Sequence, residues 1–222
     1  MKTIAKFAVT AALATAFLAG AAQAADTASV LAHANATVSD LRHDQVFGDA
    51  RHALRNARAV LIVPGLVKGG FIFGAEGGDG VLLARTHHGW SDPAFYSLGS
   101  ASFGLQIGLE QAQLVMIIMT DRALRAVEQS KFKFGADAGL TVITLGAGAG
   151  AATSGNFSGD IILWSKAEGA YGGITLTGSV IAPEDDTNAS FYGHSVSVPD
   201  ILSGGPKNPA AARLRANLMG AF

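Results

Sequence analysis

Glycine supplies 28 of the 222 residues, and it is scattered through apolar stretches instead of being gathered in a linker. This is nearly twice ordinary usage, and because glycine turns the chain tightly without steric cost, the pattern points to short, sharply turning strands. Between Val60 and Ile181 the predicted strands are Val60 to Val63, Phe71 to Ala75, Val81 to Thr86, Ala101 to Leu109, Leu114 to Met119, Leu140 to Leu145, Ile161 to Ser165 and Ile174 to Ile181. Each is a short run rich in β-branched and aromatic residues, bounded by Gly, Asp or Pro. Repeated short strands at this spacing predict a closed or sandwiched, mainly antiparallel sheet.

Helices are expected at the two ends and once in the middle. Leu31, Ala34, Val38 and Leu41 follow helical spacing from Ala28 to about Phe47, and a second short helix from Asp49 to Arg58 follows Gly48. A central helix begins near Asp121, read as its cap, with Leu124 and Val127 on one face. A last helix is signalled by Asn208 as cap, Pro209 in the first turn, and Leu214 and Leu218 one turn apart. The fold class is therefore α+β, a barrel-like or sandwiched antiparallel sheet with N-terminal, central and C-terminal helices.

The first 24 residues have the build of a secretory signal: Lys2 and Lys6, an uncharged run from Phe7 to Leu18, and Ala22-Gln23-Ala24 as the cleavage site. The apolar run is shorter than the roughly 20 residues that cross a bilayer. The expectation is an exported, periplasmic chain, peripheral to a membrane, with residues 25–222 as one domain. Loss of Lys2 and Lys6 takes the formal net charge from −1 to −3, so no global positive field favours nucleic acid. The sequence has no cysteine, which removes disulfides, thiol nucleophiles, thiolate metal sites and an acylated lipoprotein cysteine together.

Arg51, Arg55 and Arg58 stand at i, i+4 and i+7, which on a continuous helix makes one stripe. With Lys68 they are the candidate contacts for phosphate headgroups, each worth roughly 1 kcal/mol near an anionic bilayer. A solvated face paired locally to Asp44 or Asp49 is the plainer alternative. Gly146, Gly148 and Gly150 alternate with alanines, so an extended stretch there would be nearly bare on both faces. It is either a ligand-facing surface or a loop.

Catalytic motifs do not survive inspection. Gly193-His194-Ser195-Val196-Ser197 puts serine where a nucleophile elbow needs its last glycine. His87 with His88, and His43 with His52, lack metal-ligand geometry, and no HExxH or GK[ST] occurs. Glu76, Asp79 and Glu110 are isolated carboxylates with no sequence reason to pair. Trp90-Ser91-Asp92-Pro93 reads as an aromatic anchor with a turn-forming Asp. Phe191-Tyr192-Gly193 reads as an aromatic plug against a strand, and Glu184-Asp185-Asp186 as a solvated loop.

Taken in order, several stretches resemble the SYLF domain family, also called the Ysc84 actin-binding domain. They include Ala59-Val60-Leu61-Ile62-Val63-Pro64, Lys68-Gly69-Gly70-Phe71, Gly78-Asp79-Gly80-Val81-Leu82 and Gly89-Trp90-Ser91-Asp92-Pro93. Further on are Phe103-Gly104-Leu105-Gln106-Ile107-Gly108, Trp164-Ser165-Lys166-Ala167-Glu168-Gly169, Gly173-Ile174-Thr175-Leu176-Thr177-Gly178-Ser179, Phe191-Tyr192-Gly193 and Ile201-Leu202-Ser203-Gly204. The resemblance implies a non-catalytic domain without cofactor that binds acidic phospholipid; it also implies actin binding in some eukaryotic members. Export separates this chain from actin. The loop at Leu145-Gly146-Ala147-Gly148 departs from the proline-bearing form common in the family. The alternatives are a self-associating structural protein of the envelope and an uncharacterised hydrolase.

Overall fold

A computed structural model describes residues 26–44, 54–70, 73–103, 108–129, 131–134, 140–145, 159–168 and 178–220. The expected signal segment, Arg51, and Gly146, Gly148 and Gly150 lie outside these residues. The strands are β1 (Ala59–Gly70), β2 (Phe73–Thr86), β3 (Gly89–Trp90), β4 (Ala94–Phe103), β5 (Gly108–Ile118), β6 (Phe132–Lys133), β7 (Val142–Leu145), β8 (Ile161–Glu168) and β9 (Val180–Pro183). They form one sheet in the order β6-β9-β4-β2-β1-β5-β8-β7, with β3 paired to β2. Every pairing is antiparallel except β7 with β8. The helices are α1 (26–43), α2 (Asp121–Glu128), α3 (Asp185–Tyr192), α4 (Val198–Leu202) and α5 (Ala212–Met219), the last preceded by a 3-10 turn at Pro209–Ala211. The fold is α+β, as the sequence predicts.

Side chains alternate across the sheet, and here both faces are covered. On one face Leu61, Val63, Leu82, Tyr96, Leu114, Met116 and Leu163 meet Ala123 and Val127 of α2 and Val198, Ile201 and Leu202 of α4. On the other, Val60, Ile62, Val81, Leu83, Phe95, Val115, Ile117 and Trp164 meet α1 and Leu214 and Leu218 of α5. Burial on both sides explains why the central strands read as unbroken apolar runs and not as alternating ones. Leu31, Ala34, Val38 and Leu41 are all buried, as their spacing requires.

Several elements differ from expectation, each for a local reason. The described residues of the runs expected at Phe71 to Ala75 and Val81 to Thr86 belong to a single strand, β2, whose middle carries Gly74, Gly77, Gly78 and Gly80. Gly78 and Gly80 sit there because β1 bulges at Pro64-Gly65, where its register shifts against both neighbours. A Cβ on Gly80 would lie 2.6 Å from the Ile62 carbonyl oxygen, and one on Gly78 2.8 Å from that of Gly65. No side chain fits against a backbone that close. The single run expected from Ala101 to Leu109 instead holds the end of β4 and the start of β5, which pair with β2 and β1 respectively and not with each other.

Glu184-Asp185-Asp186 and Phe191-Tyr192-Gly193 do not lie in loops. They bracket α3, which ends on Gly193 in the left-handed conformation (φ 75°) that glycine adopts freely at helix ends. Phe191 does pack edge-on against Phe95, 4.9 Å between ring centroids. α2 is capped by Thr120, whose hydroxyl accepts from the Ala123 N–H, and not by Asp121. Asn208 caps the C-terminal segment as predicted, accepting from the Ala210 N–H.

Candidate functional site

The candidate arginines do not form one helical stripe in the described chain. Helical backbone is described at 54–55 only, Asn56 turns, and β1 starts at Ala59. Arg58 therefore sits at the head of a strand, its N–H donating to the Ile118 carbonyl at 2.8 Å. Its guanidinium pairs with Asp121 at 3.1 Å, with both side chains more than half exposed. Such a pair contributes at most about 1 kcal/mol and leaves Arg58 partly neutralised. The backbone register sets Lys68 opposite Glu76 of β2 and Glu110 of β5.

Arg55 is different. It is exposed and makes no ion pair among the described residues. It lines an open depression of about 290 Å³ together with Arg85, Gly89 and Met219. Arg85, at the end of β2, donates from Nε to the Ala57 carbonyl (3.3 Å) and from one Nη to the Leu54 carbonyl (3.0 Å). Its guanidinium lies over Trp90, 4.3 Å from the ring centroid, a cation–π arrangement. Burial pulls its pKa below the ordinary arginine value. Gly89, at φ 112°, turns the β2–β3 hairpin, and a Cβ there would meet the Met219 sulfur at 3.2 Å. Met219 is 58 % exposed, well above Val67 and Val142.

Sequence reasoning missed Arg85 and Met219. An arginine at a strand end and a methionine near the C-terminus carry no local signal, and only the docking of α5 beside the hairpin unites them.

A second depression, of about 120 Å³, is lined by Pro64, Gly65, Gln111, Ala112, Gln113 and Lys166 at the β1 bulge. There the charges are already matched. Gln113 donates to Asp40 at 2.9 Å, and Lys166 pairs with the same carboxylate at 3.5 Å.

Two groups of carboxylates respond to pH in opposite senses. Asp160 accepts from the Thr141 N–H (3.0 Å), the Thr120 hydroxyl (2.7 Å) and Arg122 (2.8 Å). The Thr141 and Thr120 hydrogen bonds, with Arg122 adding and burial opposing, hold it below the usual carboxylate range. Asp79 is raised by burial and then by Asp26; Glu184 is raised by burial and then by Asp79, with the Thr187 hydrogen bond opposing and Asp26 adding. A raised carboxylate binds its proton in the native state first, so its contribution to stability grows as pH falls through that raised value. A depressed one contributes above its unfolded value and loses that contribution as pH falls through the lowered one. The urea midpoint is therefore expected to rise on mild acidification from neutral pH and to fall again in stronger acid. Asp79→Asn should shrink the rise and leave the fall. A midpoint that declines steadily from neutral pH in the wild type would contradict this assignment.

Among the described residues, no group of three or more His, Asp or Glu side chains is placed to hold a metal ion, and no helix is long and apolar enough to cross a membrane. What the geometry offers is a helix-covered sheet with a depression whose described lining carries two arginines and no acid.

Residues 99–221 match the family Ysc84, described as Las17-binding protein actin regulator. The chain is 31% identical to Protein YSC84 of Saccharomyces cerevisiae over 182 residues, covering 78% of this chain and 39% of the yeast protein. It is 30% identical to SH3 domain-containing YSC84-like protein 1 of Rattus norvegicus over 173 residues, covering 77% of this chain and 51% of the rat protein. The human protein of the same description is 29% identical over 173 residues, covering 77% and 50% of the two chains. The chain belongs to the Ysc84, or SYLF-domain, family. It spans about two-fifths to half the length of these curated relatives.

Proposed function

We propose that this protein is a non-catalytic lipid-binding protein of a bacterial cell envelope, exported by its N-terminal segment and docking on acidic phospholipid at a membrane surface. The observation that carries the reading is Arg55, exposed and without a carboxylate partner among the described residues, beside Arg85 and the exposed Met219. Cations next to an exposed apolar side chain suit the boundary between headgroups and acyl chains. The family's description names Las17 binding and actin regulation; export would remove this chain from both, so the actin role is not carried over.

Vesicle sedimentation tests the proposal. Binding to vesicles containing phosphatidylglycerol is expected to exceed binding to pure phosphatidylcholine and to weaken as salt rises, because the attraction is screened. Equal pelleting with both vesicles, or with neither, would refute it. A second reading, self-association, draws on Val142, which is 40% exposed on β7 at the end of the strand order. Concentration-dependent assembly without lipid would point to it.

A further inference from the structure

Among the described residues that line it, the Arg55–Arg85 depression holds two like charges and no carboxylate. Arg85 is the more telling of the two. A guanidinium has five N–H donors in a fixed fork, and two of Arg85's are given to the Leu54 and Ala57 carbonyls. Its flat face rests on Trp90, and the remaining donors have no acceptor among the described residues. Burial already disfavours its charge. Among the described residues the lining of this hollow holds no acid; a second arginine, the exposed Arg55, stands across it instead.

The other parts of the depression suit an incoming anion. Gly89 contributes no side chain that would cover it, and Met219 forms one apolar wall. The volume is at the small end of ligand pockets, which fits a headgroup fragment and not a whole lipid. The depression at the β1 bulge differs in that Asp40 neutralises Lys166.

We infer that the Arg55–Arg85 depression is a discrete phosphate-ester site, in which Arg55 and the spare donors of Arg85 bind one phosphate group while Met219 flanks its organic substituent. This deepens the proposed lipid-binding reading, from diffuse attraction to a saturable site. Arginine forks bind phosphate oxygens strongly and bidentately. Inorganic phosphate and a phosphatidic-acid headgroup share that chemistry.

Calorimetric titration with inorganic phosphate and with soluble dihexanoyl phosphatidic acid, alongside vesicle sedimentation, separates these sources. The expected result is one-to-one saturable binding of both compounds, weakened about tenfold or more by Arg55→Gln and unchanged by Arg125→Gln on α2. Arg55 is exposed, so its replacement should leave the urea midpoint unmoved. No saturable binding of either compound, or equal loss in the two variants, would overturn the site, and continued salt-sensitive vesicle binding would then leave the envelope reading standing. Saturable phosphate binding lost in Arg55→Gln, without binding to acidic vesicles, would uphold the site and refute the lipid reading.

Discussion

Replacing Asp92 by alanine should lower the free energy of unfolding by about 3–5 kcal/mol, the usual cost of stripping one partner from a buried ion pair. Asp92 follows β3 and is fully buried, at 0% exposure. Arg215 of α5 approaches it at 3.0 Å and Lys207 at 3.9 Å. One Asp92 oxygen also accepts the Asn208 N–H at 2.5 Å. A single carboxylate thus ties the C-terminal segment from Lys207 to Arg215 onto the sheet, and its loss leaves the Arg215 charge and a backbone donor without their partner. Arg215→Met should be milder than Asp92→Ala, since it fills space and Lys207 still faces the acid. Urea denaturation monitored by circular dichroism measures both; a shift for Asp92→Ala under about 1 kcal/mol, the range of exposed pairs, would show the pair to be solvated.

Trp164→Ala should cost a comparable amount, about 3–5 kcal/mol, through a cavity and not through charge. Trp164 of β8 is fully buried in the core between the sheet and α1. The indole is the largest of the fully buried side chains, and its neighbours Val115, Ile117 and Ile162 lie on strands that cannot collapse inward without breaking their ladders. The effect should appear as a lower urea midpoint with an unchanged slope. A loss below about 1 kcal/mol would mean that α1 re-docks to fill the space, and that the helix-to-sheet packing is looser than the burial of Leu31, Ala34, Val38 and Leu41 implies.

The depression beside β3 also separates basic residues that look alike in the sequence. On the sequence alone Arg51, Arg55 and Arg58 are equivalent members of a stripe. In the fold Arg58 faces Asp121, Arg55 faces a hollow, and Arg85, seemingly an unremarkable strand residue, supplies the second cation. The relatives matched here include much longer proteins, so their activities belong to chains of which this domain is a part.

Some of this was written locally in the sequence. The 3.6-residue spacing of Leu31, Ala34, Val38 and Leu41, the apolar runs of β1, β5 and β8, and the Asn208-Pro209 cap each depend on neighbours along the chain, and all are where the sequence puts them. The helical character of Asp185–Tyr192 was masked because its first turn is acidic and polar, and its stability comes from Asn188, whose side chain exchanges hydrogen bonds with the Phe95 backbone across the fold.

By itself, then, the sequence determined the fold class, the elements with strong apolar periodicity and the family likeness, because periodicity records which faces must leave water. Only the tertiary structure decided which charges are compensated. Asp92 meets Arg215 and Arg58 meets Asp121, while Arg55 and Arg85 meet no acid among the described residues. Coulomb energy depends on distance through space, and partners so far apart along the chain leave no trace in local spacing.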